Sequence, residues 1–219
     1  MKRIFYIVFI LFLMVPVDCS MAENISQERS GTIKIYKFDE STYPDMTKIT
    51  FDHAISIALK ECPGKLLEAE LDVEEGYLVY EIEVVTAEKN IMEILVDPGN
   101  GSILKVSPDE DKHIEKYEDD YTEKPIKSGS IKLESYNEAT YPDMAKLSFK
   151  DALDIALNKS REKLIGIELE DHDEYLVYQI KTITSEKKIK EIFVDPITGE
   201  ILGTAIEKSE DDVNEHTVF

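Results

Sequence analysis

The residues of this chain that could do chemistry are four histidines, two cysteines and 46 aspartates and glutamates. His53, His113, His172 and His216 are scattered, and no spacing brings together the three or four ligands that zinc needs. Acid–base catalysis needs two carboxylates in one cleft with their pKa values pushed apart. Carboxylates are so frequent here that pairs arise by composition alone, so solvated charge is their default reading. No repeated nucleophile–base pair is present. The reading is therefore of a non-enzyme with no catalytic residues, no cofactor and no dedicated metal site. Asp-rich turns offer oxygen ligands without the acidic spacing of a calcium loop, which leaves weak divalent-cation binding as an expectation.

The most informative residues are Thr42-Tyr-Pro-Asp-Met46, because they return as Thr140-Tyr-Pro-Asp-Met144. Around them Gly31–Val106 aligns without a gap on Gly129–Thr204. Roughly half of the aligned positions are identical, the signature of a duplicated module. Tyr43, Met46, Tyr141 and Met144 are the candidate partner-binding residues. Either they pack under the incoming helix as a staple-like contact, or the tyrosines stand exposed as aromatic anchors for a protein partner.

The N-terminus reads as an export signal. Met1-Lys-Arg3 is basic, Ile4–Val17 is apolar, and Ser20 and Ala22 are small. These are the three parts of a secretory signal peptide, expected over residues 1–22. A retained anchor and lipid attachment at Cys19 are the alternatives. With Cys19 removed, Cys62 is the one cysteine of the mature chain, a small residue closing a helix. The formal net charge is −21, and losing Lys2, Arg3 and Asp18 makes it one unit more negative. Such a surface repels nucleic acid and anionic lipid.

Two modules are then expected, at residues 31–106 and 129–206, with an acidic linker at 107–128 and an acidic tail at 207–219. Within each, alternation over Thr32–Phe38 and Ser130–Tyr136 predicts a first strand, whose free edge could receive an extended partner segment. Tyr-Pro-Asp follows as a turn, since proline biases the residue before it away from the helical region. Phe51, Ala54, Ile55, Ala58 and Leu59 then fall on one helical stripe, repeated by Phe149, Ala152, Leu153, Ala156 and Leu157. Thr50 and Ser148 sit at the N-cap positions, the latter with Asp151 in a capping box. Pro63-Gly64 ends the first helix, and the second is expected to run a turn longer.

Strands are expected at Leu66–Val73, Tyr77–Thr86, Ile91–Asp97 and Ser102–Val106. Tyr80, Ile82 and Val84 share one face, while Glu81 and Glu83 share the other, which predicts one dry face and one wetter face. The fold class is α+β: two small repeated domains, each with one helix packed on an antiparallel sheet of three to four strands. Asp97-Pro-Gly-Asn-Gly101 and Asp195-Pro-Ile-Thr-Gly199 read as turns whose last glycine supplies a positive φ.

The helix with Ala54-Ile55 and Ala58-Leu59-Lys60, the following Pro63-Gly64, the strand Tyr77-Leu-Val-Tyr80 and the closing Val-Asp-Pro-x-x-Gly turn into Ile-Leu together resemble the PepSY domain. The resemblance covers the larger part of each repeat. It implies a helix laid across an antiparallel sheet, outside the cytoplasm. Similar domains occur in propeptides of thermolysin-like metalloproteases, where they inhibit the protease and assist its folding, in a spore-germination protein, and as free-standing exported proteins. This chain carries no His-Glu-x-x-His helix, so it would act on a separate partner, a secreted protease or another envelope protein. The expected location is extracytoplasmic, secreted or in the cell envelope, with no nucleic-acid or membrane partner after signal cleavage. The alternative is a structural or weakly calcium-responsive envelope module.

Overall fold

A computed structural model describes residues 30–109, 126–158 and 160–206. In chain order, repeat 1 contains α1 (Tyr43–Met46), α2 (Phe51–Glu61), β1 (Lys65–Glu74), β2 (Tyr77–Val85), β3 (Ile91–Val96) and β4 (Ile103–Pro108). Repeat 2 reproduces them as α3 (Tyr141–Met144), α4 (Phe149–Leu157), β5 (Lys163–His172), β6 (Tyr175–Ile183), β7 (Ile189–Val194) and β8 (Ile201–Ile206).

Each repeat is a four-stranded antiparallel meander with its longer helix on one face. The repeats are joined: β1 pairs antiparallel with β5 through Glu68–Glu168, Ala69–Ile167 and Glu70–Gly166. The result is an eight-stranded sheet in the order β4-β3-β2-β1-β5-β6-β7-β8. One apolar core runs under both longer helices.

The helical stripes lie where periodicity puts them. Ala54, Ala58 and Ala152 are fully buried, and Phe51, Ile55, Leu59, Phe149, Leu153 and Ala156 pack partly buried on the same core. Small residues at the closest approach let the helix axis come down onto Tyr80, Ile82 and Val84, which stand on the dry face. The Thr50 hydroxyl accepts from the His53 backbone N–H, and Ser148 and Asp151 form the reciprocal capping box. Large side chains removed from water here stabilise the fold by about 1.5–3 kcal/mol each.

Four expectations are corrected. Thr32–Phe38 and Ser130–Tyr136 are not strands; each makes one isolated bridge, Lys34 to Tyr77 and Lys132 to Tyr175. Ile35 and Leu133 stay buried while Tyr36 and Phe38 run out into solvent at 88% and 75% exposure. No strand is therefore present there to offer a free edge. The Tyr-Pro-Asp-Met segments are short helices rather than turns: Tyr43 and Tyr141 both sit at φ −57°, ψ −45°. A proline in the first helical turn has no N–H to lose, which outweighs its bias on the residue before it.

The second long helix ends sooner than the first, because Asn158 takes a positive φ of 25° at its C-cap. The face opposite the helices is not wet either. Glu81 and Glu83 are 3% and 4% exposed, and Val79, Leu95 and Leu104 form a second small apolar cluster, mirrored by Val177, Phe193 and Leu202. Cys62 caps its helix and is buried. Cys19, His113, His216, the leader, most of the linker and the tail lie outside the described residues.

Candidate functional site

The duplicated Tyr-Pro-Asp-Met segments lie at the junction of the repeats, and each reaches into the other repeat. The Asp143 carboxylate pairs with Lys65 at 2.9 Å and with Lys89, both from repeat 1. Reciprocally, Asp45 pairs with Lys163 of repeat 2. Hydrogen bonds from Lys89 and Lys65 hold the Asp143 carboxyl down at about 2, and Lys163 lowers Asp45 in the same way. These are exposed pairs, individually weak, but they are placed twice by an approximate two-fold relation.

Tyr43 and Tyr141 are 2% and 0% exposed, so the reading of these tyrosines as exposed anchors is corrected. They are part of the shared core. Burial pushes the Tyr141 hydroxyl well above its ordinary value, and Asp171 nearby adds to this. Met46 and Met144 do reach the surface, at 37% and 41% exposure. The segment therefore turns tyrosine inward, methionine outward and aspartate across the junction.

Between the two longer helices runs a groove of about 400 Å³ built from both repeats. Leu71, Tyr80, Leu164, Phe51, Leu153 and Leu157 line it together with the charged Asp52, Lys150, Asp154 and Lys163. The Tyr80 hydroxyl donates to the Ile49 carbonyl at 2.8 Å, and its ring meets Phe51 edge-on at 4.7 Å. Repeat 2 does the same with Tyr178, Leu147 and Phe149. Burial moves the Tyr178 hydroxyl up to about 12.

A second recurring device was visible as a turn but not as an anchor. Asp97 is 1% exposed and accepts from the Thr32 N–H, the Thr32 hydroxyl and the Gly99 N–H at 2.7–2.9 Å. Asp195 accepts from Ser130, Ile197 and Thr198 N–H groups at 2.6, 2.9 and 2.8 Å. Each aspartate thus ties the start of its repeat to the β3–β4 or β7–β8 turn. Gly101 and Gly199 complete those turns at φ +78° and +74°, as expected, and a Cβ on either would press on the Ile57 or Ile155 side chain.

Carboxylates crowd the sheet face away from the helices. Burial drives Glu170 well above its ordinary value, and neighbouring Glu168 adds to that. On β1 and β2, oxygens of Asp72, Glu74 and Glu81 lie within 4.8 Å of one another. His53 is exposed on its helix, and His172 stacks at 4.4 Å on Phe193; neither joins a ligand cluster among the described residues. Outside the expected set, Tyr36, Phe38 and Tyr136 are the largest exposed aromatics.

The PepSY family model, described as "Peptidase propeptide and YPEB domain", matches residues 48–107 and 146–205. No curated protein matches the chain. Among solved structures, a protein described as a lipoprotein from Clostridium difficile is similar at 18% identity and a TM-score of 0.39, over 74% of this chain and 95% of that one. The YpeB C-terminal domain of Bacillus megaterium is similar at 17% identity and a TM-score of 0.27, over 82% and 71%.

Proposed function

The chain belongs to the PepSY family, which it matches twice, and from that premise we propose that it is an exported, non-enzymatic protein that binds and restrains a secreted protease or another envelope protein. The observation that carries the reading is the tandem match to a family described by peptidase propeptides. The basic, apolar and small residues of Met1–Ala22 support export. No helix among the described residues is long and apolar enough to cross a membrane. The binding surface is the helical side of the junction, where Met46 and Met144 are exposed and the inter-helix groove is lined by apolar and charged side chains. Methionine adapts its shape to a partner at low cost. A net charge of −21 favours partners with basic surfaces and disfavours nucleic acid.

The test is titration of a thermolysin-like metalloprotease with the mature protein. Saturable loss of peptide hydrolysis, relieved by Met46→Asp or Met144→Asp, supports the reading. No complex and no inhibition with any secreted metalloprotease or envelope fraction counts against it. A second reading, a cation-responsive envelope module, draws on the Asp72, Glu74 and Glu81 oxygens on β1 and β2. Calorimetry with millimolar calcium that shows neither heat nor thermal stabilisation removes it.

A further inference from the structure

The seam between the repeats is not symmetric, although the repeats are. On the face away from the helices, register places Glu93, Glu83, Glu68 and Glu168 side by side across β3, β2, β1 and β5. The adjacent row reads Glu81, Glu70, Gly166, Lys181 and Glu191 across β2, β1, β5, β6 and β7. By the duplication, Gly166 and Lys181 occupy the places that Glu68 and Glu83 hold in repeat 1. Like charges directly opposite one another on neighbouring strands destabilise a sheet. If β1 met a second β1 in this register, both rows would become unbroken runs of carboxylates.

The two substitutions act together. A Cβ at Gly166 would lie 3.2–3.4 Å from the Glu70 side chain, so glycine leaves the space in which Glu70 lies over the seam. Across that space the Lys181 ammonium reaches Glu70 Oε1 at 3.2 Å. Burial opposes the charge on Lys181, but Glu70, Glu168 and Glu68 outweigh it and raise its pKa. One cation therefore serves carboxylates from both repeats.

We infer that Gly166 and Lys181 make the seam selective: the first strand of repeat 1 is accepted by a repeat 2 and rejected by another repeat 1. Selectivity comes from what the wrong pairing would juxtapose as much as from the ion pair itself. The partner that this edge fits is a strand with a small residue opposite Glu70 and a cation one strand further on. This inference does not depend on the proposed protease partner.

The experiment uses the full chain and reads amide hydrogen exchange at residues 68–70 and 166–168, with the β2–β3 and β6–β7 pairings as internal references. Lys181→Glu, which restores the repeat 1 pattern, is expected to cut seam protection by at least about tenfold, the scale of a lost charged hydrogen bond. The reference pairings are expected to stay within about twofold. The charge swap Glu70→Lys with Lys181→Glu is expected to recover most of the loss, a result that mere disruption of packing would not produce. If Lys181→Glu does not fold, Lys181→Gln removes the charge more gently and is expected to lower seam protection in the same direction. Wild-type seam protection in the single variants, or no recovery in the charge swap, overturns the inference.

Discussion

Replacing Asp195 by asparagine tests how each repeat is closed. The Asp195 carboxylate is 1% exposed and accepts three backbone N–H groups, Ser130 on one oxygen and Ile197 and Thr198 on the other. Asparagine retains one acceptor oxygen, so its NH₂ must face the Ser130 N–H, donor against donor. The loss is that of a charge-assisted hydrogen bond, about 1.5–3 kcal/mol. Urea denaturation at neutral pH measures it, and for a unit of this size the melting temperature should fall by roughly 3–12 °C. The pH dependence follows from the sign of the shift. Burial raises the Asp195 pKa, but the hydrogen bonds from Thr198, Ile197 and Ser130 outweigh it and leave the carboxyl below its ordinary 3.8. Its contribution is thus fully present above 3.8 and is lost as pH falls through the lower folded value. The gap between wild type and Asp195→Asn should therefore be full at pH 6 and close as the pH falls below 3.8. Equal stability at neutral pH, or a gap that widens with acid, refutes the anchoring role.

Further outcomes follow from the same geometry. Tyr80→Phe and Tyr178→Phe keep the edge-on ring contacts but lose the hydroxyl bonds to Ile49 and Leu147, and each should cost about 0.5–1.5 kcal/mol by chemical denaturation. Ala58→Leu should destabilise by about 1–3 kcal/mol through overpacking under the helix, whereas Ala156→Leu, at a partly buried site, should cost less in the same assay. In carboxyl-carbon NMR titrations, Lys89→Ala or Lys65→Ala should raise Asp143 from about 2 toward 3.8. No movement would mean that the clamp across the junction is not formed in solution.

Local pattern carried the elements of each repeat, and little beyond them. The 3.6-residue spacing of Phe51, Ala54, Ile55, Ala58 and Leu59 and the two-residue alternation of Tyr80, Ile82 and Val84 report which side faces a core, so both longer helices and the strands of each meander are legible. Alternation misled at Thr32–Phe38, where the inward residues are held but the backbone is carried away after one bridge. It also misleads at Glu81 and Glu83, because an acidic residue pointing away from one core need not face water. The pairing of β1 with β5 leaves no local mark: it joins residues about a hundred positions apart, and its specificity rests on Gly166 and Lys181, unremarkable singly. The candidate site was half legible. Duplication pointed to Tyr-Pro-Asp-Met, but only packing shows that tyrosine goes inward and that aspartate crosses to the other repeat.

The central claim is that the two repeats act as one unit because β1 and β5 share a sheet, which builds the groove and both Asp–Lys clamps from opposite halves. Nuclear Overhauser contacts across the seam test this most directly. Cross-strand backbone contacts between Ala69 and Ile167, as strong as those between Ile82 and Ile94 within repeat 1, are the predicted result. Intact contacts within each repeat, with none between residues 68–70 and 166–168, would contradict it.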